Sequence, residues 1–232
     1  MLRLEGVQLR QGDFLLAADL EVAAGQIFAV MGPSGGGKST LIAAIAGFVR
    51  PEAGRIWWDG VDLTGMHPGD RPISVLFQDN NLFPHLSLAQ NLALGIRPTG
   101  RVSQAEGQRI EDVLAQVGLQ GFGPRKPGAM SGGQQSRAAL ARVLLSGWPL
   151  VLLDEPFAAL GPGLKDEMLD LTAQMLAGPG RCLIMVSHDP ADARRIADQV
   201  IAVEAGRAVP PVPVAAFMAD PPPGMRAYLG IG

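Results

Sequence analysis

The stretch that decides the fold is Gln26-Ile-Phe-Ala-Val-Met31-Gly32-Pro-Ser-Gly-Gly-Gly-Lys38-Ser39. Its first six residues predict a strand that is covered on both faces, because they form an almost unbroken apolar run. The segment Gly32–Ser39 matches the pattern G-x-x-x-x-G-K-[ST] in full, and an apolar helix is predicted after it, from Ser39 to Gly47. Strand, glycine loop and helix together form an arrangement in which backbone N–H groups surround an anion.

This loop predicts a site for the phosphates of a nucleotide. Lys38 would place its charge near the β- and γ-phosphates, and Ser39 would offer its hydroxyl to Mg²⁺. A glycine-rich turn without a ligand is the alternative, and the full match in this setting disfavours it. The candidate phosphate-binding residues are Gly32, Pro33, Ser34, Gly35, Gly36, Gly37, Lys38, Ser39 and Thr40.

Two acids, Asp154 and Glu155, end a second apolar strand predicted from Leu150 to Leu153. Ionised carboxylates are costly inside a core, so we expect them at the exit of the strand, where ligands bind in such sheets. Asp154 would hold Mg²⁺ through its water shell, and Glu155 would accept a proton from an attacking water. Two acids that begin a solvated turn are the alternative.

Two further polar residues follow predicted strands, Gln78 after Pro72–Phe77 and His188 after Cys182–Val186. A histidine at this edge of the sheet can contact a γ-phosphate. The carbonyl oxygen of Gln78 can bind Mg²⁺ or its water. The alternatives are an exposed or structural histidine and a surface amide.

The segment Ser131-Gly132-Gly133-Gln134 predicts a helix start. It fits the capping-box pattern, as do Ser87–Gln90 and Ser103–Glu106. The alternative is that Ser131 acts as an N-cap only. Two glycines in a first turn each cost a helix about 1 kcal/mol, which is explained if a phosphate must approach the backbone closely.

The remaining pattern predicts alternating strands and helices, and therefore a three-layer α/β core. Strands are predicted at Leu2–Leu9, Phe14–Val22, Arg55–Asp59 and Val200–Val203, and helices at Leu164–Leu176 and after Asp189-Pro190. Residues 79–149 have helical character. The proline-rich segment 210–232 predicts an irregular arm with at most one short helix.

Composition excludes several classes of protein. Hydrophobic residues make up 47% of the chain and charged residues 18%, which excludes a largely disordered chain. The net charge of −3 argues against a basic nucleic-acid-binding surface. No apolar run approaches the length of a membrane span. Cys182 is the single cysteine, so we expect an inert core thiol and neither an intrachain disulfide nor a cysteine metal cluster.

The order of these motifs resembles that of the nucleotide-binding subunits of ABC transporters, over about residues 1 to 209. The resemblance implies an α/β fold: a RecA-like P-loop NTPase core with an inserted α-helical subdomain and a small N-terminal antiparallel β-subdomain. It places the core at 1–78 and 150–209 and the helical subdomain at 79–149. The arm 210–232 would hold no regulatory domain.

The resemblance also implies a mechanism and partners. Glu155 and His188 would be catalytic, and Ser39, Gln78 and Asp154 would hold Mg²⁺. ATP would be bound by Gly32–Thr40 and Gln78 of one copy and, in a head-to-tail homodimer, by Ser131, Gly132, Gly133 and Gln134 of the other. The partners would be two transmembrane permease subunits and, through the complex, a periplasmic solute-binding protein, with no nucleic acid. The chain would lie peripherally on the cytoplasmic face of the inner membrane.

A narrower resemblance links the segment Arg71–Phe83, with His85-Leu86 and Ala89-Gln-Asn91, to the ATP-binding subunits of bacterial thiamine importers. Importers of iron, sulfate, polyamine or molybdate share much of the pattern and remain the alternative. A chromosome-maintenance ATPase would need a long coiled-coil insert, which the chain lacks. A non-hydrolysing regulatory subunit is disfavoured because Glu155 and His188 are both present.

Three departures from the family pattern stand out. Gln11 occupies the turn where an aromatic ring is expected to stack on adenine, and Phe14, three residues further along, is expected to face elsewhere. Gly161 replaces the usual aspartate. Gln135-Ser136-Arg137 replaces the usual Arg-Gln-Arg or a similar sequence. These departures predict weaker ATP binding and weaker coupling across the dimer.

Overall fold

The computed structural model of the chain describes residues 1–229. These residues form two compact units. The first unit contains residues 1–73, 149–154 and the described part from 177 onward; the second contains 74–148 and 155–176. In the described residues, no helix is long and apolar enough to cross a membrane.

The strands and helices follow the predicted alternation. The strands are β1 (Leu2–Gln11), β2 (Phe14–Val22), β3 (Ile27–Met31), β4 (Ala53–Trp58), β5 (Val61–Asp62), β6 (Ile73–Leu76), β7 (Leu150–Asp154), β8 (Cys182–Val186), β9 (Gln199–Glu204), β10 (Arg207–Ala208) and β11 (Val212–Pro213). The helices are α1 (Lys38–Ala46), α2 (Leu88–Ile96), α3 (Gln104–Gln116), α4 (Gly132–Ser146), α5 (Pro162–Leu176), α6 (Pro190–Ile196), α7 (Val214–Ala219) and α8 (Pro223–Tyr228).

The first unit is built on a mixed sheet in the order β5-β4-β1-β2-β10-β9-β3-β8-β7, with β11 paired to β9. Strands β7, β8, β3 and β9 run parallel, and every residue of β3 and β8 is buried. Their continuous apolar sequences fit a sheet that is covered on both faces. Strands β1, β2 and β4 pair antiparallel. This sheet confirms the predicted α/β class with an N-terminal antiparallel part.

The helix that follows the glycine loop is fixed at its far end by Arg71. Its guanidinium donates to the carbonyls of Ala44 at 2.9 Å and Ile45 at 2.6 Å, and to Met66 O at 3.2 Å. Burial lowers the pKa of Arg71. The Ala44 carbonyl also accepts from Gly47 N at 3.1 Å, and the bonds from Arg71 complete the hydrogen bonding of the last turn of α1.

The second unit packs α2, α3, α4 and α5 around a cluster that includes Leu92, Leu114 and Ala141. All three predicted capping boxes form, at the starts of α2, α3 and α4. In each, the serine side chain accepts from the backbone N–H three residues later and the Gln or Glu side chain accepts in return.

The tail differs from the irregular arm that the sequence predicts, because it holds two short helices, α7 and α8. Phe217 and Met225 are buried against Ala193 and the strands β3 and β9. The prolines do not interrupt these helices. Pro213 precedes α7 and Pro223 begins α8, a position where proline needs no hydrogen bond. Residues 230–232 of the predicted arm lie outside the described residues.

Candidate nucleotide-binding site

The glycine loop lies between β3 and α1, and its glycines have backbone roles. A Cβ on Gly32, whose φ is +158°, would lie 2.0 Å from the carbonyl oxygen of Val203. Gly37 is the N-cap of α1 with φ of +100°, and no side chain caps the helix. Because Gly37 has no side chain to cap α1, the first turn of the helix is suited to an anion.

Lys38 folds its ammonium back onto this loop. Its Nζ donates to Gly32 O at 2.8 Å and to Pro33 O at 3.0 Å, and the residue is 7% exposed. The positive charge is thus held inside the loop by the loop's own carbonyls. A phosphate in the loop would meet this charge and the start of α1 together.

Ser39 and Asp154 meet across the first unit. The Ser39 hydroxyl donates to Asp154 Oδ1 at 3.3 Å. A hydroxyl beside a carboxylate suits Mg²⁺, which binds oxygen and usually takes one or two carboxylates together with substrate phosphates. Among the residues described, no group of three or more His, Cys, Asp or Glu side chains could hold a metal ion. The Ser39 hydroxyl and the Asp154 carboxylate together fit a magnesium ion that arrives with phosphate.

Gln11 and Phe14 both lie beside the glycine loop. The Thr40 hydroxyl donates to Gln11 Oε1 at 3.0 Å. A Cβ on Gly37 would lie 2.9 Å from Phe14 Cε1 and Cζ, so the ring packs on the loop. The expectation that Phe14 faces elsewhere is wrong. Gln11 and Phe14 are paired across the β1–β2 hairpin, and cross-strand partners share a face of a sheet.

Glu155 directly follows the end of β7 and is half-buried. Its φ is +46°, in the left-handed region that glycine favours. Such a conformation costs an ordinary residue about 1–3 kcal/mol and persists only where the surroundings impose it. The backbone conformation therefore fixes the direction in which the Glu155 side chain leaves the main chain.

His188 is exposed at the end of β8, in a loop with many hydrogen bonds. The Ser187 hydroxyl donates to Asp192 Oδ2 at 2.5 Å, and Asp189 N donates to Ser187 Oγ at 3.1 Å. Asp189 caps α6, as the Asp-Pro pair predicts. The carbonyl of His188 accepts a bond of 2.6 Å from the hydroxyl of Tyr228, a residue that sequence patterns do not single out.

Gln78 is exposed and precedes a constrained segment of the second unit. Asn80 and Asn81 have φ of +60° and +51°, and Arg142 donates to their carbonyls at 3.3 Å and 2.6 Å. Burial lowers the pKa of Arg142. Asn80 Oδ1 is buried and has no hydrogen-bond partner in the described part of the chain. Arg142 was missed in the sequence because nothing local pairs it with position 80.

Ser131 is the N-cap of α4, the alternative considered for it, and it accepts from Gln134 N at 3.3 Å. Gly133 is buried, and a Cβ there would lie 2.3 Å from Leu164 Cδ2, the end of a side chain that would have to shift. A Cβ on Gly132 would meet no described atom within 4 Å. Close approach of a phosphate stays a prediction for both glycines, and Gly132 offers the more open backbone.

Comparisons with known proteins define the class of protein. The ABC transporter family model matches residues 15–158, and the chain belongs to this family. The thiamine import ATP-binding protein of Cereibacter sphaeroides is 58% identical over 99% of this chain and 100% of that protein. The protein of the same name from Ruegeria sp. is 55% identical over the same shares.

Solved structures agree with this assignment. A dimeric structure of a bacterial ABC transporter cassette is 27% identical, with a TM-score of 0.79 over 92% of this chain and 99% of that one. The ADP conformation of another ATP-binding cassette is 23% identical, with a TM-score of 0.87 over 99% of this chain and 98% of that one, and supports the fold alone.

Proposed function

We propose that this chain is the ATP-hydrolysing subunit of an ABC importer for thiamine. The observation that carries the proposal is the identity of 58% and 55% to thiamine import ATP-binding proteins over nearly the full length of both chains. The nucleotide site alone would suit an importer of iron, sulfate, polyamine or molybdate equally well, since it would contact ATP and not the solute.

The working form would be a head-to-tail homodimer. Each ATP would lie between Gly32–Thr40 of one copy and Ser131–Gln134 of the other. The exposed positions of Ser131 and Gly132 support this arrangement, as does the dimeric form of the bacterial cassette that the chain resembles. A phosphate could approach the backbone at Gly132, where no side chain intervenes.

The chemistry would be transfer of the γ-phosphoryl group to water. Glu155 would accept a proton as the water oxygen bonds to phosphorus, and the bond to the bridging oxygen of ADP would break. Lys38 would offset charge on the phosphates, and His188 would contact the γ-phosphate. Ser39, Gln78 and Asp154 would hold Mg²⁺, which would neutralise phosphate charge when bound.

The partners would be two transmembrane permease subunits and a periplasmic thiamine-binding protein that delivers the solute. The chain would then bind peripherally at the cytoplasmic face of the inner membrane. The apolar side chains of Phe83 and Trp148 support a protein partner, because both are nearly half exposed on the second unit.

Uptake of labelled thiamine tests this function directly. A strain that lacks the gene for this chain should lose high-affinity thiamine uptake, and the wild-type chain should restore it. Glu155→Gln should not restore it, although the protein is made. Uptake of sulfate, iron, putrescine and molybdate serves as the control. Loss of one of these in place of thiamine would assign the chain to that solute.

A further inference from the structure

The tail of the chain reaches the loop that carries His188. The Tyr228 hydroxyl donates to the His188 carbonyl oxygen at 2.6 Å. Tyr228 lies in α8, forty positions further along the chain. It is the single tyrosine of the sequence. Neither the family match, which ends at residue 158, nor the motif pattern gives this residue a role.

The tail is anchored firmly enough to make this contact specific. Phe217 of α7 is 2% exposed and Met225 of α8 is fully buried. Both pack in one cluster with Ala193 of α6, the helix that follows His188. At Gly224 the carboxylate of Glu204, the last residue of β9, lies where a Cβ would be. Tyr228 therefore extends from a packed element.

Further bonds in the loop hold the residues beside His188. Ser187 is bonded to Asp192 and to the backbone of Asp189, and Asp189 caps α6. The bond from Tyr228 acts on the carbonyl of His188 itself. The direction of that carbonyl fixes the backbone torsion ψ at residue 188, because the peptide group is planar. That torsion contributes to where the imidazole points.

We propose that Tyr228 is a positioning residue for His188, so that the tail helps to hold the imidazole toward the γ-phosphate. This inference rests on the proposed function, in which His188 contacts that phosphate. Without the hydroxyl, the bond to the His188 carbonyl is lost and the loop would sample more orientations. The ring of Tyr228 would still pack, so the fold of the tail would persist.

Tyr228→Phe removes the hydroxyl alone, and Arg226→Gln is the matched control in the same helix, at an exposed ion pair with Asp220. In the importer assembled with its permease subunits, Tyr228→Phe should lower kcat by about 3- to 10-fold, the worth of one hydrogen bond, with KM for ATP nearly unchanged. Arg226→Gln should leave kcat unchanged. Thermal unfolding of both variants should remain close to that of the wild type.

A double-mutant cycle separates positioning from packing. His188→Ala keeps the carbonyl and removes the imidazole. If Tyr228 acts through His188, adding Tyr228→Phe to His188→Ala should lower kcat no further. Additive losses would overturn the inference. So would normal kcat in Tyr228→Phe while His188→Ala is impaired, which leaves the proposed function intact. Normal kcat in His188→Ala would overturn both the role of His188 and this inference.

A spectroscopic test needs no permease. Because the chain has one tyrosine, labelling with 3-fluorotyrosine gives a single ¹⁹F resonance from residue 228. In full-length Glu155→Gln protein, saturating ATP with Mg²⁺ should shift this resonance, and ADP should shift it less, since ADP lacks the γ-phosphate. Adding His188→Ala should abolish the difference between the two nucleotides. A resonance that responds equally to both in the presence of His188 would overturn the inference.

Discussion

The hydroxyl of Ser39 lies 3.3 Å from a carboxylate oxygen of Asp154, although 115 positions separate the two residues. Asp154→Asn keeps the shape of the side chain and removes its charge. We expect the Mg²⁺ concentration needed for half-maximal ATP hydrolysis to rise about 10- to 100-fold, as for residues that orient a metal and its water. Magnesium titrations of hydrolysis measure this. Ser39→Thr, which keeps a hydroxyl, should change little; an unchanged requirement in Asp154→Asn contradicts the assignment.

Substitutions at Glu155 and at Lys38 should impair different steps, hydrolysis in the first case and ATP binding in the second. Glu155→Gln should bind ATP and lose about 10²–10⁴-fold in turnover, the usual loss with a general base. Light scattering should show a dimer in ATP and Mg²⁺, while the wild-type chain without nucleotide stays mainly monomeric. Lys38→Ala should weaken ATP binding itself. Near-normal hydrolysis in Glu155→Gln would show that another group is the base.

Local patterns in the sequence predict the elements that position the site. The bounds of β2 and β8 are predicted to the residue. The apolar run of β8 ends at the polar Ser187, and β2 begins directly after the turn at residues 12 and 13. The capping boxes are equally local, since each spans four positions. Sequence alone predicts that the glycine loop and Asp154, the last residue of β7, share one site, by the general rule that ligands bind at the exits of parallel strands.

Contacts between distant segments could not be predicted in this way. Phe14 was misplaced because the two-residue hairpin turn puts it opposite Gln11, while counting along one strand puts it elsewhere. The tail helices are stabilised by burial of Phe217 and Met225 against other elements. Their proline-rich sequence does not by itself predict helices. The bonds that Arg71 and Tyr228 donate to distant carbonyls leave no periodic signal.

The thiol of Cys182 should be unreactive in the folded chain. Burial raises the pKa of this thiol to about 12 from 9.0, so the neutral form persists in the folded state at pH 8. Ellman's reagent should label native protein far more slowly than protein in urea. Since the unfolded thiol ionises at lower pH, the contribution of Cys182 to stability is present below pH 9.0 and is lost as the pH rises from 9.0 toward about 12. Rapid native labelling at pH 8 would contradict this.

With Gln11 in place of an aromatic residue, the chain should bind ATP weakly and discriminate little between ATP and GTP. Stacking of a base on an aromatic ring is worth about 1–3 kcal/mol, or about 5- to 150-fold in affinity. Gln11→Tyr should therefore tighten ATP binding several-fold, although it removes the bond from Thr40. Measured affinities for ATP and GTP test this. Since the Phe14 ring packs on Gly37, Phe14→Leu is the companion variant. Unchanged ATP affinity in Gln11→Tyr with lost affinity in Phe14→Leu would assign the base contact to Phe14.

Position 161 has room for the aspartate that the family pattern places there. Its carbonyl accepts from Lys165 N at 2.9 Å, so it lies at the N-cap position of α5. A Cβ there would meet no described atom within 4 Å. Asp and Asn are equally good N-caps, so either replacement should raise the free energy of unfolding by a few tenths of a kcal/mol, roughly the advantage over glycine.

Only the aspartate adds a charge that could act across the dimer. In the Glu155→Gln background, Gly161→Asp should therefore lower the ATP concentration at which the dimer forms, and Gly161→Asn should not. Light scattering over an ATP titration measures this. Thermal unfolding shows whether the introduced side chain caps α5 in both variants. If Asn promotes the dimer as strongly as Asp, the gain comes from the stabilised helix and the missing carboxylate has no part in coupling.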